Sequence, residues 1–247
     1  MAAHGDGLMV TVMTERHSSL PGRRAVVDAR DLWYLLGDRS PELTQGMIQT
    51  AQGRVIRGAM VYDQEDQPQA VACALLAALH ASPQKRGPSR CPPVTVLDRM
   101  IRETEGALGP SVTLRSGCKV LTNLGLILGY VWSFEAAEIA RYLATGHGLV
   151  LGLDWYEAMN RPDATGLVRA WGRPIGGHAV FAWGYDLKSD CVLFQNSRGP
   201  SWGGWSTRRG RHDFKGCARL PLSDLEKLLA DNGEAVALLK KPYRREA

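Results

Sequence analysis

The spacing of apolar and polar residues changes character along this chain, and the change predicts its elements. Before residue 60 no period persists for long. Alternation over 24–29 (RAVVDA) suggests a short strand, and DLWYLL from Asp31 suggests one or two helical turns ended by Gly37. The polar run DQEDQPQ over 63–69 carries Pro68 and reads as a loop. It is followed by AVACALLAALHA over 70–81, rich in the best helix formers and apolar nearly all round, which predicts a buried helix with Cys73 in its first turn. Residues 83–93 read as loop and 94–105 as an amphipathic helix, while 107–130 are ambiguous. A helix over 133–145 is expected, capped by Ser133 and ended by Gly146. From Leu149 the texture is that of strands: 149–155, 178–185, 191–195, 214–220 and 235–239, interrupted by a helix over 221–231 with Leu222, Leu225, Leu228 and Leu229 on one face.

Helices thus crowd the first half and strands the second. This is an α+β pattern, with two lobes and a cleft between them as the expected architecture. The 247 residues suffice for one large domain or two small lobes with a real core.

Composition narrows the function less than the pattern does. A hydrophobic fraction of 45% and a charged fraction of 22% are those of a soluble globular protein. The net charge of +5 is spread out, with small clusters at 208–211 and 240–241, and no basic stripe carries aromatic platforms. A nucleic-acid partner is therefore not expected. Neither is a membrane, since no apolar stretch is long enough to span one. The N-terminus lacks the features of an export signal, so a cytoplasmic chain, or one carried within an assembly, is expected. Five cysteines at irregular spacing argue against a complete disulfide framework and are expected as thiols. No Cys/His group has metal spacing, and no cofactor is implied.

Three segments carry the candidate chemistry. Cys73 lies at the N-terminal end of a buried helix, where unpaired N–H groups stabilise a thiolate. His178 heads an apolar strand after Gly176 and Gly177, and Asn196 ends the next strand. An imidazole can take the thiol proton, and an amide can fix the tautomer of that imidazole, which is the logic of covalent acyl transfer. Gln67 lies six residues before Cys73. Its side-chain amide, with the Cys73 backbone N–H, is the expected oxyanion donor pair. The two glycines would let a substrate backbone approach.

These segments resemble the papain-like cysteine peptidases, and look closest to short bacterial and phage members. The loop from Asp66 to Cys73 resembles the family's nucleophile loop, GHAV running into GYD from Gly177 to Asp186 is similar to its histidine strand, and NSRGPSWG from Asn196 resembles its asparagine segment. The similarity spans residues 60 to 240. It implies a helical lobe carrying the Cys helix and an antiparallel, barrel-like lobe carrying His178 and Asn196. It also implies peptide or protein substrates, hydrolysed through a thioester, and a place for Trp202 in substrate binding. Residues 1–60 are then expected to pack on the core or the cleft, and 61–247 to form the catalytic domain, mainly helical over 61–147 and mainly strand over 148–240. Three positions depart from the pattern: Pro68 and Val71 replace glycines of the nucleophile loop, and Arg198 replaces the tryptophan that covers the His–Asn bond. An amidase, deamidase or transglutaminase-type enzyme using the same three residues remains an alternative. So do a papain-fold binding protein that has lost catalysis, and a phage- or toxin-associated protease acting once.

Overall fold

In a computed structural model the structure describes residues 23, 31, 32, 35, 36, 60–81, 84–106, 111–205 and 214–240. The expected strand over 24–29 lies outside them. The helices are α1 (Ala70–His80), α2 (Val94–Glu105), α3 (Leu114–Asn123), α4 (Ala136–Ala144) and α5 (Leu222–Ala230). The strands are β1 (Gly129–Ser133), β2 (Leu149–Tyr156), β3 (Pro174–Asp186), β4 (Cys191–Gln195), β5 (Cys217–Pro221) and β6 (Glu234–Leu239). They form one antiparallel sheet in the order β1-β6-β2-β3-β4-β5. The fold is α+β, as expected.

Both faces of the sheet are covered, and the two-residue period of a strand sorts its side chains between them. On β3, Ala179, Phe181 and Trp183 join a core with α1, α2 and α3. Val180, Ala182 and Tyr185 join a second core with α4 and α5. Helix α1 is buried along all eleven residues, which explains its lack of a polar face. It is wedged between the sheet and α3. A methyl group at Gly117 of α3 would come within 2.3 Å of the Leu75 side chain, so the two helices meet without room for one.

Two expectations shift. Ser133 does not cap a helix. It ends β1, its hydroxyl donates to the Glu138 carboxylate, and α4 begins after Glu135. The ambiguous stretch 107–130 holds α3, capped by the Thr113 hydroxyl accepting from the Ser116 N–H, and then β1. Strand β1 comes from the half expected to be helical, yet it pairs along β6, so the two halves share one sheet. Asp31 and Leu32 lie in a short 3₁₀ turn, and the Leu36 N–H reaches the Trp132 carbonyl of β1. All five cysteines are free thiols. Among the described residues no helix is long and apolar enough to cross a membrane.

The burial of α1 gives a direct expectation. Leu75→Ala should cost about 2–5 kcal/mol of unfolding free energy by denaturant titration, because the wedge cannot collapse around the void. Trp171→Ala, at a side chain 75% exposed, should change it by less than about 0.5 kcal/mol.

Candidate active site

The free edge of β3 creates the site. Strand β2 pairs with β3 over 174–182, but β4 pairs with it only from Phe181 onward. Among the described residues, the half of β3 that carries Gly176, Gly177 and His178 therefore has no named strand on its other side. Its neighbour β4 ends at Gln195, and the chain turns there to present Asn196 beside His178.

The imidazole Nε2 of His178 lies 2.7 Å from Asn196 Oδ1. The same oxygen accepts the Ser197 backbone N–H at 2.8 Å. A backbone N–H can only donate, so this atom is the amide oxygen, and Nε2 must carry the hydrogen it shares. The neutral ring is thereby left with Nδ1 unprotonated, the state of a base. Asn196 Nδ2 is buried, with no hydrogen-bond partner among the described residues. Trp155 lies edge-on to the imidazole with ring centroids 4.7 Å apart. Trp202 stands one ring further out, 6.4 Å from Trp155, with its indole N–H on the Asn160 carbonyl. The sequence offered no signal for Trp155, which lies against the imidazole although Arg198 replaces the usual covering tryptophan.

Cys73 faces the same region from α1. It borders a small hollow with Ala77, Tyr62, Ala179 and Asn196. The loop ahead of α1 is fixed from two sides. The Gln64 N–H donates to the Ser197 carbonyl and the Gly199 N–H to the Tyr62 carbonyl, which ties the loop before α1 to the asparagine turn. On the other side, Arg102 of α2 donates to the Pro68 carbonyl while paired with Asp98. Gln67 is exposed in this loop.

The Cys73 N–H, expected as an oxyanion donor, is already engaged. It donates to the Gln69 carbonyl at 3.0 Å, because α1 starts at Ala70, as expected, and Cys73 is its fourth residue. The N–H groups that a helix leaves without an intrahelical partner belong here to Ala70, Val71 and Ala72.

The two glycines have different uses. Gly176 has φ 149° and sits at the bulge where the β2–β3 register shifts. At Gly177 a Cβ would come within 2.2 Å of the Arg23 carbonyl oxygen, so no side chain fits there. The Arg23 N–H donates to the Gly177 carbonyl at 3.1 Å, so the backbone donor that meets this residue is the protein's own.

Both candidate reacting groups are buried. Cys73 is 1% exposed, and burial, then the Asp98 and Asp63 carboxylates, push its thiol up to about 12. Burial pulls the His178 imidazole down to about 4, against the Asn196 bond, which raises it, and with the Arg198 charge, which lowers it further. Both displacements favour the neutral forms, because both groups are shielded from water.

Comparison with solved structures places the architecture. The chain superposes on xylellain, a cysteine protease from Xylella fastidiosa, with a TM-score of 0.65 over 94% of this chain and 100% of that one, at 17% identity. The chain has the papain-like fold. Digestive procathepsin L 3 of Tenebrio molitor larval midgut matches with a TM-score of 0.55 at 13% identity, covering 90% of this chain and 75% of that one. Procathepsin B S9 from Trypanosoma congolense matches with a TM-score of 0.54 at 11% identity, covering 93% and 85%. No protein-family model and no curated protein matches the chain.

The buried imidazole makes stability depend on pH in a defined direction. Its folded value, about 4, lies below the 6.5 of a free histidine. As the pH falls the unfolded chain takes up the proton first, so folding free energy is lost between pH 6.5 and 4, by at most about 3 kcal/mol. The thermal midpoint should fall across this window more steeply than in a His178→Gln variant. Equal slopes would mean that the ring titrates as if exposed.

Proposed function

We propose that this protein is a cysteine peptidase that hydrolyses peptide bonds with Cys73 as nucleophile, His178 as general base and acid, and Asn196 as the residue that positions the imidazole. The observation that carries this reading is the shared Asn196 oxygen. It assigns the hydrogen to Nε2 and leaves Nδ1 as the acceptor a thiol needs. The papain-like fold of the neighbouring proteases supports it.

In the working reaction the Cys73 proton passes to His178 Nδ1 and the sulfur attacks the peptide carbonyl carbon. The carbonyl oxygen gains the negative charge, held by donors at the head of α1 and by the Gln67 side-chain amide. The intermediate collapses to a thioester as the C–N bond breaks, and the imidazolium gives its proton to the leaving amine. His178 then takes a proton from water, whose oxygen attacks the thioester carbonyl. The acid product leaves, and the proton returns to Cys73. The buried, neutral pair is a closed state of this site. Opening it to water or substrate lowers the thiol and raises the imidazole, because burial is the first cause of both displacements.

Hydrolysis of a fluorogenic peptide library, with products read by mass spectrometry, tests the assignment. Cys73→Ala should lose at least about 10³-fold in kcat/KM. Asn196→Ala should lose on the order of 10²-fold, in kcat rather than KM, as expected of a positioning residue. New amino termini in the products support a peptidase. Ammonia release or crosslinks would move the protein to the amidase or transglutaminase class, and full activity in Cys73→Ala would end the thiol mechanism.

A further inference from the structure

Arg198 stands in the asparagine turn with a charge that the fold leaves unanswered. It follows Asn196 by two residues, and its backbone bridges Asp63 in the loop before α1. Its neighbours in the turn are engaged. The Ser197 N–H meets Asn196 Oδ1, the Ser197 hydroxyl donates to the Gln64 side chain, and the Gly199 N–H meets the Tyr62 carbonyl. Arg198 is held in place by these bonds, yet its half-buried guanidinium has no hydrogen-bond or ion-pair partner among the described residues. Asp63 lies across the bridge, but its carboxylate accepts the Glu65 N–H and forms no ion pair with Arg198. By contrast Arg102 and Arg115, also half-buried, are paired with Asp98 and Asp31.

This arrangement opposes the chemistry unless an anion is added. Burial, and then the Arg198 charge, disfavour the imidazolium that His178 must become. Arg198 does not serve as the cover of that ring either, since Trp155 lies against it. A cation drawn partly out of water calls for a hydrogen-bonded anion. A carboxylate brought by the substrate would give the guanidinium its partner and offset the charge that acts on the imidazole. The reaction indicates which part of the substrate brings it. Cys73 keeps the acyl part as a thioester, and His178 hands its proton to the amine that leaves. The asparagine turn lies on the imidazole side of that bond, so Arg198 meets the part that leaves. Beyond it Pro200 and Ser201 are exposed, which gives access from solvent.

We propose that Arg198 forms a subsite for a carboxylate on the leaving side of the scissile bond. An aspartate or glutamate side chain can supply this group, and so can the free C-terminus of the peptide, because a guanidinium holds either with the same pair of N–H donors. The placement rests on the peptidase reading, whereas the binding of a carboxylate does not, so the two can fail separately. Binding is read by fluorescence anisotropy on the full chain with Cys73→Ala, which prevents turnover. The probes are hexaalanine peptides with a neutral BODIPY label and an amidated C-terminus, in which one aspartate is moved through the six positions. Asparagine is the neutral isostere, and hexaalanine with a free C-terminus supplies the other carboxylate.

Aspartate at one position, or the free terminus, should bind about fivefold or more tighter than its neutral counterpart, as a charge-assisted pair requires. The preference should vanish in Arg198→Gln and be retained in Arg198→Lys. If Arg198→Gln does not fold, Arg198→Met, which keeps an apolar stem, provides the second arm. A gain from aspartate alone assigns the subsite to a side chain, and a gain from the free terminus alone assigns it to the end of a short leaving segment. Affinities no higher for the carboxylate probes at any position, absent binding included, would overturn the proposal, as would a preference that persists in Arg198→Gln or Arg198→Met. The chain with Cys73 intact then places the subsite. Cleavage of a peptide library should favour carboxylates C-terminal to the cut, and enrichment on the acyl side instead would overturn the placement. A carboxylate preference in binding with no hydrolysis by the Cys73 chain would keep the subsite and end the peptidase reading. Hydrolysis indifferent to carboxylates would do the reverse.

Discussion

The hydrogen bond between His178 and Asn196 is the constraint on which the site depends. One oxygen accepts from two donors, a backbone N–H that cannot do otherwise and an imidazole that must comply. The consequence is a defined tautomer, with the basic nitrogen chosen by the backbone of Ser197. The bond in turn depends on the sheet. Strand β4 has to end at Gln195, directly opposite Phe181, for Asn196 to turn beside an imidazole three residues earlier on β3. The loop before α1 is fastened to the same turn through the Gln64–Ser197 and Tyr62–Gly199 backbone bonds. Helix α1, the asparagine turn and the histidine strand are thus one mechanical unit.

The same shortness of β4 leaves a sheet edge open, and open edges attract backbone. Here the edge is taken by Arg23, whose carbonyl fits against Gly177 only because that residue has no side chain. Burial around Cys73 and His178 favours the neutral form of each. On the proposed reading, reactivity belongs to a form in which the site is open to water.

Much of this was legible in the sequence. Helix α2 was read with the bounds the structure gives it, because its period is strong, and β4 likewise, because an unbroken apolar run is bounded by turn residues. Helix α1 was legible from its alanines and leucines rather than from any period. Cys73, His178 and Asn196 could be proposed together because each sits at a break between an apolar run and a turn. Other features were not legible. Ser133 looked like a cap, but a hydroxyl next to Glu138 finds a carboxylate instead. Helix α3 was hidden by Gly117 and by its polar residues, and the structure gives the reason for that glycine in the contact with Leu75. Arg23 and Glu234 lie 211 residues apart, and no local pattern in either segment points to the other. The α1 start at Ala70 was read correctly, but not its consequence, which is that the Cys73 N–H is directed into the helix, onto the Gln69 carbonyl.

The most direct test of the central claim is the protonation of one ring. In protein labelled with ¹⁵N-histidine, long-range ¹H–¹⁵N correlation at pH 7 distinguishes a protonated Nε2 from a protonated Nδ1. The account predicts that His178 is held as the Nε2–H tautomer, and that Asn196→Ala releases it to a mixture. A His178 ring found with its hydrogen on Nδ1, or one already mixed in the unaltered protein, would contradict it.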